Sequence, residues 1–457
     1  MVHPLTLLRT GMGLSHPEYA RLVAERHAGL GHGRTAARRE KVSRWESGRI
    51  VPEYTAQLAM ADIHGVPAGQ VGRLGWPHWL YLAVGDAPLR DEHWNGGGAA
   101  AVLRSSAHLA EVAAPPGLVL RGPALAGHLR AAVARASAPG RGRVGGGVPA
   151  AVDGLEWISA RVAGLEQQFH RTRLPPTALY VAAVAEHRLV VRLLTAAGHD
   201  RATGRHLLLL GARTALLCAW ISGALGEQAR AERQALAATR AAAVAGDRVR
   251  VSGAMLLLGL RHLEAGDPAD VRMLVRAAGA AGAADPDRPA AFAAVLHGAR
   301  AVARAREGEA GRADRSLARA EEAVAGCGDA SVSDTGREAE PDHLTLNLVR
   351  ARVAVHLGRC ERAERHVDAV TRALAVPRSD GTPPFTALYL LTVLDVALAL
   401  GDVDRAADVV EQVVVVTGGL PPVLGRQFRE RLDRLDPLRR EPRVRRAAER
   451  LAEYGAP

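Results

Sequence analysis

Apolar residues in the first eighty positions fall into short helical stripes separated by polar or glycine breaks. In HPLTLLRTG, Leu5 and Leu8 share one face of a first helix. Ser15 opens a second, and Glu18 three residues later completes a reciprocal cap in which each residue satisfies the other's end of the turn. Pro17 stands in the first turn, where its missing N–H costs nothing. Tyr19, Ala20 and Val23 follow at helical spacing. A third helix is predicted from Thr35 to Ser47, stopped by Gly48. EYTAQLAMADIHG, after Pro52, predicts a fourth with Leu58, Ala59 and Ile63 turned inward. PAGQVGRLGWPHWL predicts a short fifth, with Trp76 and Trp79 either sealing it as a hydrophobic clasp or forming a dimer or interdomain contact. These elements make residues 1–84 one unit.

Residues 85–150 lose the pattern. NGGG, APPG and SAPGRGRVGGGVP predict a flexible connector, with short helices over 99–112 and 121–137. From 151 to 457 helix follows helix, and a sub-motif recurs. EGEAGRA (307–313), LGRCERA (357–363) and LGDVDRA (400–406) place Ala five residues after Gly: Gly308/Ala313, Gly358/Ala363 and Gly401/Ala406. AGDPADV (265–271) is a fourth copy, with Val271 in the alanine place. Seven residues before each Gly stand Gly259, Ala301, Ala351 and, in the last copy, Leu394. The physical reading is a helical hairpin: the Gly turns the chain, and the small residues let two helices approach. The copies are spaced 42, 50 and 43 residues apart, longer than the roughly 34 of a tetratricopeptide repeat. The excess falls in loops, notably 326–342. This region resembles a divergent tetratricopeptide solenoid. The fold class is therefore all-α, an N-terminal helical domain followed by a helical-repeat solenoid.

Composition agrees with that class. Hydrophobic residues make up 48% but aromatics only 4%, and an Ala- and Leu-rich chain favours helix over sheet. A formal charge of +11 predicts attraction to polyanions without naming one. Lys41 is the sole lysine, a sign of compositional bias toward Arg, so position counts for more than number. Residues 1–52 hold nine Lys/Arg against four Asp/Glu. Cys218, Cys327 and Cys360 are far apart and form no C-x-x-C pair, which excludes a disulfide framework or zinc knuckle and fits a cytoplasmic protein. The first residues carry no signal-peptide pattern. The most apolar windows are broken by Arg, His or Gly, so no membrane span is predicted. No H-E-x-x-H, G-x-S-x-G, phosphate-loop or dinucleotide fingerprint occurs. His199, Asp200 and His206 do not share a helical face. Neither an enzyme, a cofactor nor a metal site is expected.

The densest chemistry lies in RREKVSRWESGRIVP (38–52). At about 100° per residue, Val42 and Trp45 form the buried edge of the third helix. Arg44 and Glu40 point directly away, with Ser43, Lys41 and Arg39 on the flanks and Arg38 at the helix start. Leu14, Ser15, Ala20, Val42, Ser43, Trp45, Glu46, Gly48, Arg49 and Pro52 together resemble the helix-turn-helix of the Cro-like, phage-repressor (XRE-type) family, over about residues 5–66. The resemblance implies double-stranded DNA as partner and the third helix as recognition helix in the major groove. It implies that Arg39, Glu40, Lys41, Ser43 and Arg44 face base edges, with Arg39 and Arg44 suited to guanine. Ser15, His16, Arg34, Thr35, Arg38 and Arg49 would meet phosphates. Val42, Trp45 and Gly48 would hold the motif together, with Glu46 as a structural hydrogen-bond or ion-pair partner.

The chain departs from the family in two places. His16 replaces a glutamine, and the interval from Ala20 to Val42 is roughly double the family's, with the surplus around AERHAGLGHGRTA (24–36) assigned to a longer second helix and a Gly-rich loop. The whole plan is similar to regulators of actinobacteria and to peptide-responsive regulators of Gram-positive bacteria. That similarity implies a homodimer and a peptide or protein ligand in the concave groove of the repeats, where the register places Arg352 and Asp395. The alternative is a protein–protein adaptor whose degenerate helix-turn-helix does not bind DNA specifically.

Overall fold

A computed structural model of the chain describes residues 3–77, 79–80, 83, 89, 93–109, 118–137, 153–171, 175–196, 199–282, 290–326, 343–375, 385–417, 421–433 and 441–454. Among these residues there are 21 helices and no strand. Cys327 lies outside them.

The first five helices are α1 (Pro4–Gly11), α2 (His16–Gly29), α3 (Arg39–Glu46), α4 (Tyr54–Ile63) and α5 (Ala68–Leu74). They close on one core in which Leu5, Tyr19, Val42, Ala59, Met60, Trp79 and Leu80 are all fully buried. Glu18 accepts from both the backbone N–H and the hydroxyl of Ser15, at 2.7 and 2.5 Å, and so fixes the start of α2. The inward face of α4 is rotated from the expected one. Leu58 and Ile63 are half-buried at its margin and Met60 takes the centre, because α4 packs against both α2 and α5. The tryptophan clasp is present: Trp76 sits edge-on to Trp79 with centroids 6.0 Å apart, and His3 lies against Trp76. Trp79 Nε1 donates to Gln57 Oε1 at 3.1 Å, and Gln57 Nε2 donates to the Pro52 carbonyl at 2.8 Å.

The expected connector is not laid out as one. α6 (Gly96–His108) and α7 (Gly122–Ser137) occur close to where the two short helices were predicted, but they are packed. Val102, Leu103, Leu125 and Leu129 belong to the same core as the repeat helices. The chain before α7 is pinned by Glu232, which accepts from the Val119 and Leu120 N–H groups at 2.6 and 3.2 Å, and by Asp270, which accepts from Gly122 N–H at 3.0 Å. A boundary at residue 150 thus does not follow the division of the cores. Residues 138–150 lie outside the described residues.

The remaining helices are α8 (Asp153–Arg171), α9 (Pro176–Thr195), α10 (Arg201–Ala224), α11 (Gln228–Ala245), α12 (Arg248–Ala265), α13 (Pro268–Gly282), α14 (Ala290–Arg306), α15 (Ala310–Ala325), α16 (His343–His356), α17 (Cys360–Ala375), α18 (Thr386–Leu400), α19 (Val403–Thr417), α20 (Pro422–Leu432) and α21 (Pro442–Tyr454). The hairpins α10/α11, α12/α13, α14/α15, α16/α17 and α18/α19 stack in order. The first helix of each packs on the first helix of the next, and each second helix packs on the hairpin that follows. Gly308, Gly358 and Gly401 adopt left-handed φ of 74°, 68° and 72° at the hairpin turns, a conformation glycine reaches without strain. Val271, Ala313, Ala363 and Ala406, five residues beyond each turn glycine, are completely buried. The same skeleton also occurs at Gly226/Ala231 and Gly246/Val251, with φ of 80° and 77° and Ala231 and Val251 buried. Gly266 turns differently, with extended φ of −119°.

Two cores divide the stack at α16, whose Val353 faces the earlier hairpins and whose Leu348 and Ala351 face the later ones. The late helices also reach back to the start of the stack. Gln427 Nε2 on α20 donates to the Gly226 carbonyl at 3.1 Å, and Leu424 packs directly on Gly226. The Phe385 ring, at the start of α18, meets Phe169 of α8 and Trp220 of α10 at 5.6 and 5.8 Å. One correction concerns α10. It is long and apolar enough to cross a membrane by length and composition, against the expectation that no window would be. Most of that window is buried between neighbouring helices, so it is a core helix here.

Candidate nucleic-acid interface

Helix α3 has two unlike edges. Val42 and Trp45 are 0% and 8% exposed, and they dock into the five-helix core. Arg39, Glu40, Lys41, Ser43 and Arg44 are all exposed. The helix is shorter than predicted. It begins at Arg39, because Gly31 and Gly33 turn the chain with left-handed φ of 81° and 84° and the segment before Arg38 then runs without helix. Arg38 itself takes the extended N-cap conformation.

The orientation of α3 is set from behind by a buried ion pair. Arg9 of α1 donates through Nε to Glu46 Oε1 at 2.7 Å and through Nη2 to Oε2 at 3.2 Å, and its Nη1 donates to the Leu14 carbonyl at 2.7 Å. His16 Nε2 meets the same carboxylate at 3.0 Å. Both side chains of the Arg9–Glu46 pair are only 9% exposed. Burial by itself pushes the Glu46 carboxyl up. The hydrogen bonds from Arg9 and His16, with the Arg9 charge, outweigh it and hold the group below the usual carboxylate range. Glu46 closes the last turn of α3, where the helix dipole disfavours a negative charge; the Arg9 and His16 contacts offset that cost. Three separate segments are thereby tied to one carboxylate.

The residues expected at phosphates are placed variously. The Ser15 hydroxyl is engaged with Glu18, and His16 with Glu46. Thr35 Oγ1 accepts from Lys41 Nζ at 3.2 Å, which draws the lysine toward the loop. Arg34 and Arg49 are exposed, with no ion-pair partner among the described residues, as is Arg44. Arg49 follows Gly48, whose φ is 69°. Arg39 and Glu40 pair at 3.0 Å but are 73% and 59% exposed, so the pair holds neither firmly.

The surplus residues between α2 and α3 have a defined course. α2 continues to Gly29, and residues 30–38 connect to α3, where an ordinary helix-turn-helix uses about three or four. His27, buried on α2, reaches forward so that its Nδ1 meets the Gly33 carbonyl at 3.0 Å, and its ring packs on His32. Arg26 pairs with Asp62 of α4. Arg9 and His27 had no signal in the local pattern, since each acts through a partner outside its own helical stripe.

No family model matches the chain, and no curated protein matches it.

On the repeat stack, the two residues expected in a groove are both charge-paired. Arg352 Nη1 donates to Glu264 Oε1 at 2.5 Å, and Asp395 accepts from Arg431 at 2.8 and 3.0 Å. Glu264 lies in the field of Arg352, Arg261 and Arg431, so α12, α16 and α20 bring these groups into one neighbourhood. Burial pulls the Arg261 guanidinium down to about 10, and its Nη1 donates to Gln228 Oε1 at 2.8 Å. His199, Asp200 and His206 go to three different tasks. His199 bonds the Leu194 carbonyl, Asp200 caps α10 through Thr203 N–H, and His206 meets Ser159. Among the described residues no group of three His, Cys, Asp or Glu could hold a metal. Cys218 is buried, its thiol pushed up to about 12 by burial, while Cys360 is exposed.

Proposed function

We propose that this protein is a DNA-binding transcriptional regulator in the cytoplasm. Its five-helix unit docks α3 in the major groove as a helix-turn-helix, and its tetratricopeptide-like repeats mediate dimerisation and receive a peptide or protein ligand. The observation that carries the reading is the polarity of α3: Val42 and Trp45 are buried on one edge, and Arg39, Lys41, Ser43 and Arg44 stand exposed on the other. A helix offered to base edges needs that arrangement, because the apolar edge fixes the angle at which hydrogen-bonding heads meet the groove. Arg34 and Arg49, flanking it, add charge for the phosphates. In a homodimer two such helices would lie about 34 Å apart, one turn of DNA. A ligand bound between repeats, near Arg352 and Asp395, would act by favouring one spacing over another.

The second reading, an adaptor that does not bind DNA specifically, is favoured by the long connection over residues 30–38. A salt titration separates the two. Selected genomic duplexes should bind with affinity falling steeply as salt rises, because each neutralised phosphate releases counterions. Arg44→Ala should bind more weakly and less selectively. Identical weak binding by wild type and Arg44→Ala would leave the adaptor reading standing.

A further inference from the structure

An arginine-lined cleft opens between α13 and α14. Its volume is about 230 Å³, and Arg272, Arg276, Arg300 and Arg304 line it. Arg315 and Arg319 of α15 stand close enough to add their fields. Like charges crowded this way repel one another. The Arg300 guanidinium is pulled below its ordinary value first by burial and then by Arg304, Arg319 and Arg276. Arg304 is lowered by burial too; Glu309 counters this, while Arg312, Arg315 and Arg272 add to the lowering.

Carboxylates among the described residues offset only part of this charge. Glu307 pairs with Arg272, and Glu309 is bound to Arg312 at 2.9 Å. Arg304 is held in place by the Arg312 carbonyl and the Ser316 hydroxyl at 3.1 and 2.8 Å, neither of which carries charge. Arg276 and Arg300 have no ion-pair partner among the described residues. Four guanidinium groups thus share one cleft with a single paired carboxylate, Glu307, among the described residues, and each adjacent like-charged pair costs folding energy.

We infer that this cleft is a binding site for a compact polyanion, a small molecule bearing two adjacent phosphoryl groups. Planar guanidinium forks match phosphoryl oxygens bidentately, and several forks converging on one space suit a ligand with many acceptors in little volume. A single carboxylate offers too few acceptors and too little charge. The volume corresponds to about eight waters of liquid, which suits paired phosphoryl groups better than a duplex edge. Among the described residues the lining includes no aromatic ring, so recognition would rest on the phosphoryl groups rather than on a stacked base. The site is on the repeat stack and stands independently of whether α3 binds DNA.

Sodium pyrophosphate is the probe. Titration calorimetry on the full chain, at ionic strength held constant with chloride, should show one site per chain. Arg276→Gln combined with Arg300→Gln should weaken it tenfold or more, while Arg44→Ala should leave it unchanged. Arg276→Gln alone, at an exposed position, guards against misfolding and should weaken binding to a lesser degree. Without ligand the double variant should melt at or above the wild-type temperature, because repulsion is relieved; with pyrophosphate only wild type should gain stability. Equal binding by wild type and the double variant overturns the inference, as does an absence of binding to wild type. Loss of duplex affinity in the double variant, with pyrophosphate neither binding nor competing, also overturns it and makes the cleft a DNA-backbone contact.

Discussion

The outer edge of α3 and the inner neighbourhood of the repeats use arginine in opposite ways. On and beside α3, Arg34, Arg44 and Arg49 are exposed without ion-pair partners among the described residues. In the repeats, Arg352 is neutralised by Glu264, Arg431 by Asp395, Arg359 by Asp314, and Arg405 by Asp368 and Asp402. Most of these pairs tie one helix of the stack to another; an unpaired arginine, on α3 or in the cleft at Arg276 and Arg300, is available to a partner. The difference teaches that a net charge of +11 says little about binding until each cation's carboxylate has been accounted for.

Acidification should separate the two regions most strongly. His187 and His128, in the repeat core, are held at about 4 and about 3, first by burial and then by the charges of Arg188 and Arg240 respectively. Both stay neutral in the folded chain. In the unfolded chain a histidine protonates near pH 6.5, so below that pH the unfolded state binds more protons and stability is lost as pH falls toward 4. The N-terminal unit has His64, lowered to about 4 by burial, in the same position. Calorimetric scans at pH 7 and pH 4.5 should therefore show the repeat transition falling by several kcal/mol and further than the N-terminal one. Equal falls would erase the contrast.

Trp45→Ala should cost the N-terminal unit about 3–5 kcal/mol and lower only that unit's transition, since its core is drawn from residues 5–83. If the repeat transition moves by as much, the two regions are not energetically separate. Glu46→Ala leaves Arg9 buried without its partner and should cost about 3 kcal/mol in the same scan. The carboxyl's lowered value fixes the sign of its pH effect. The contribution is full above the unfolded value of about 4.3 and disappears as pH falls through the lower folded value. Arg44→Ala should leave melting unchanged and cost about 1–3 kcal/mol of operator binding in a duplex titration. Lys41→Ala should do least, because its amine leans toward Thr35; a salt slope reduced by about one with selectivity intact would move Lys41 from the bases to the phosphates.

Much of the N-terminal unit was legible because its signals are local. Ser15 and Glu18 are three residues apart, and Val42 and Trp45 mark an edge within one turn. The Arg9–Glu46 pair spans 37 residues and follows from no periodicity. Thr35 to Arg38 fits a helical pattern, yet the two left-handed glycines before it deny the helix its start. In the repeats, the turn skeleton at Gly226 and Gly246 was visible, but its 20-residue spacing is too short for a hairpin repeat. It marks instead two successive tight turns joining α10, α11 and α12. The helices α6 and α7 were legible as short helices, but their glycine-rich flanks read as a connector and gave no sign that the two are packed. Their apolar faces acquire meaning only when α9 to α13 supply the surface they cover.

A linear stack of hairpins has two free ends, and unfolding ordinarily starts there, because a terminal repeat has a neighbour on one side only. Here α20 bonds the α10–α11 turn through Gln427 and Gly226, and Phe385 inserts between Phe169 and Trp220. The two ends of the stack are latched to one another. A hoop cannot fray one unit at a time without first breaking that latch, so hydrogen exchange should find α18 to α20 opening together with α8 and α10 rather than ahead of them.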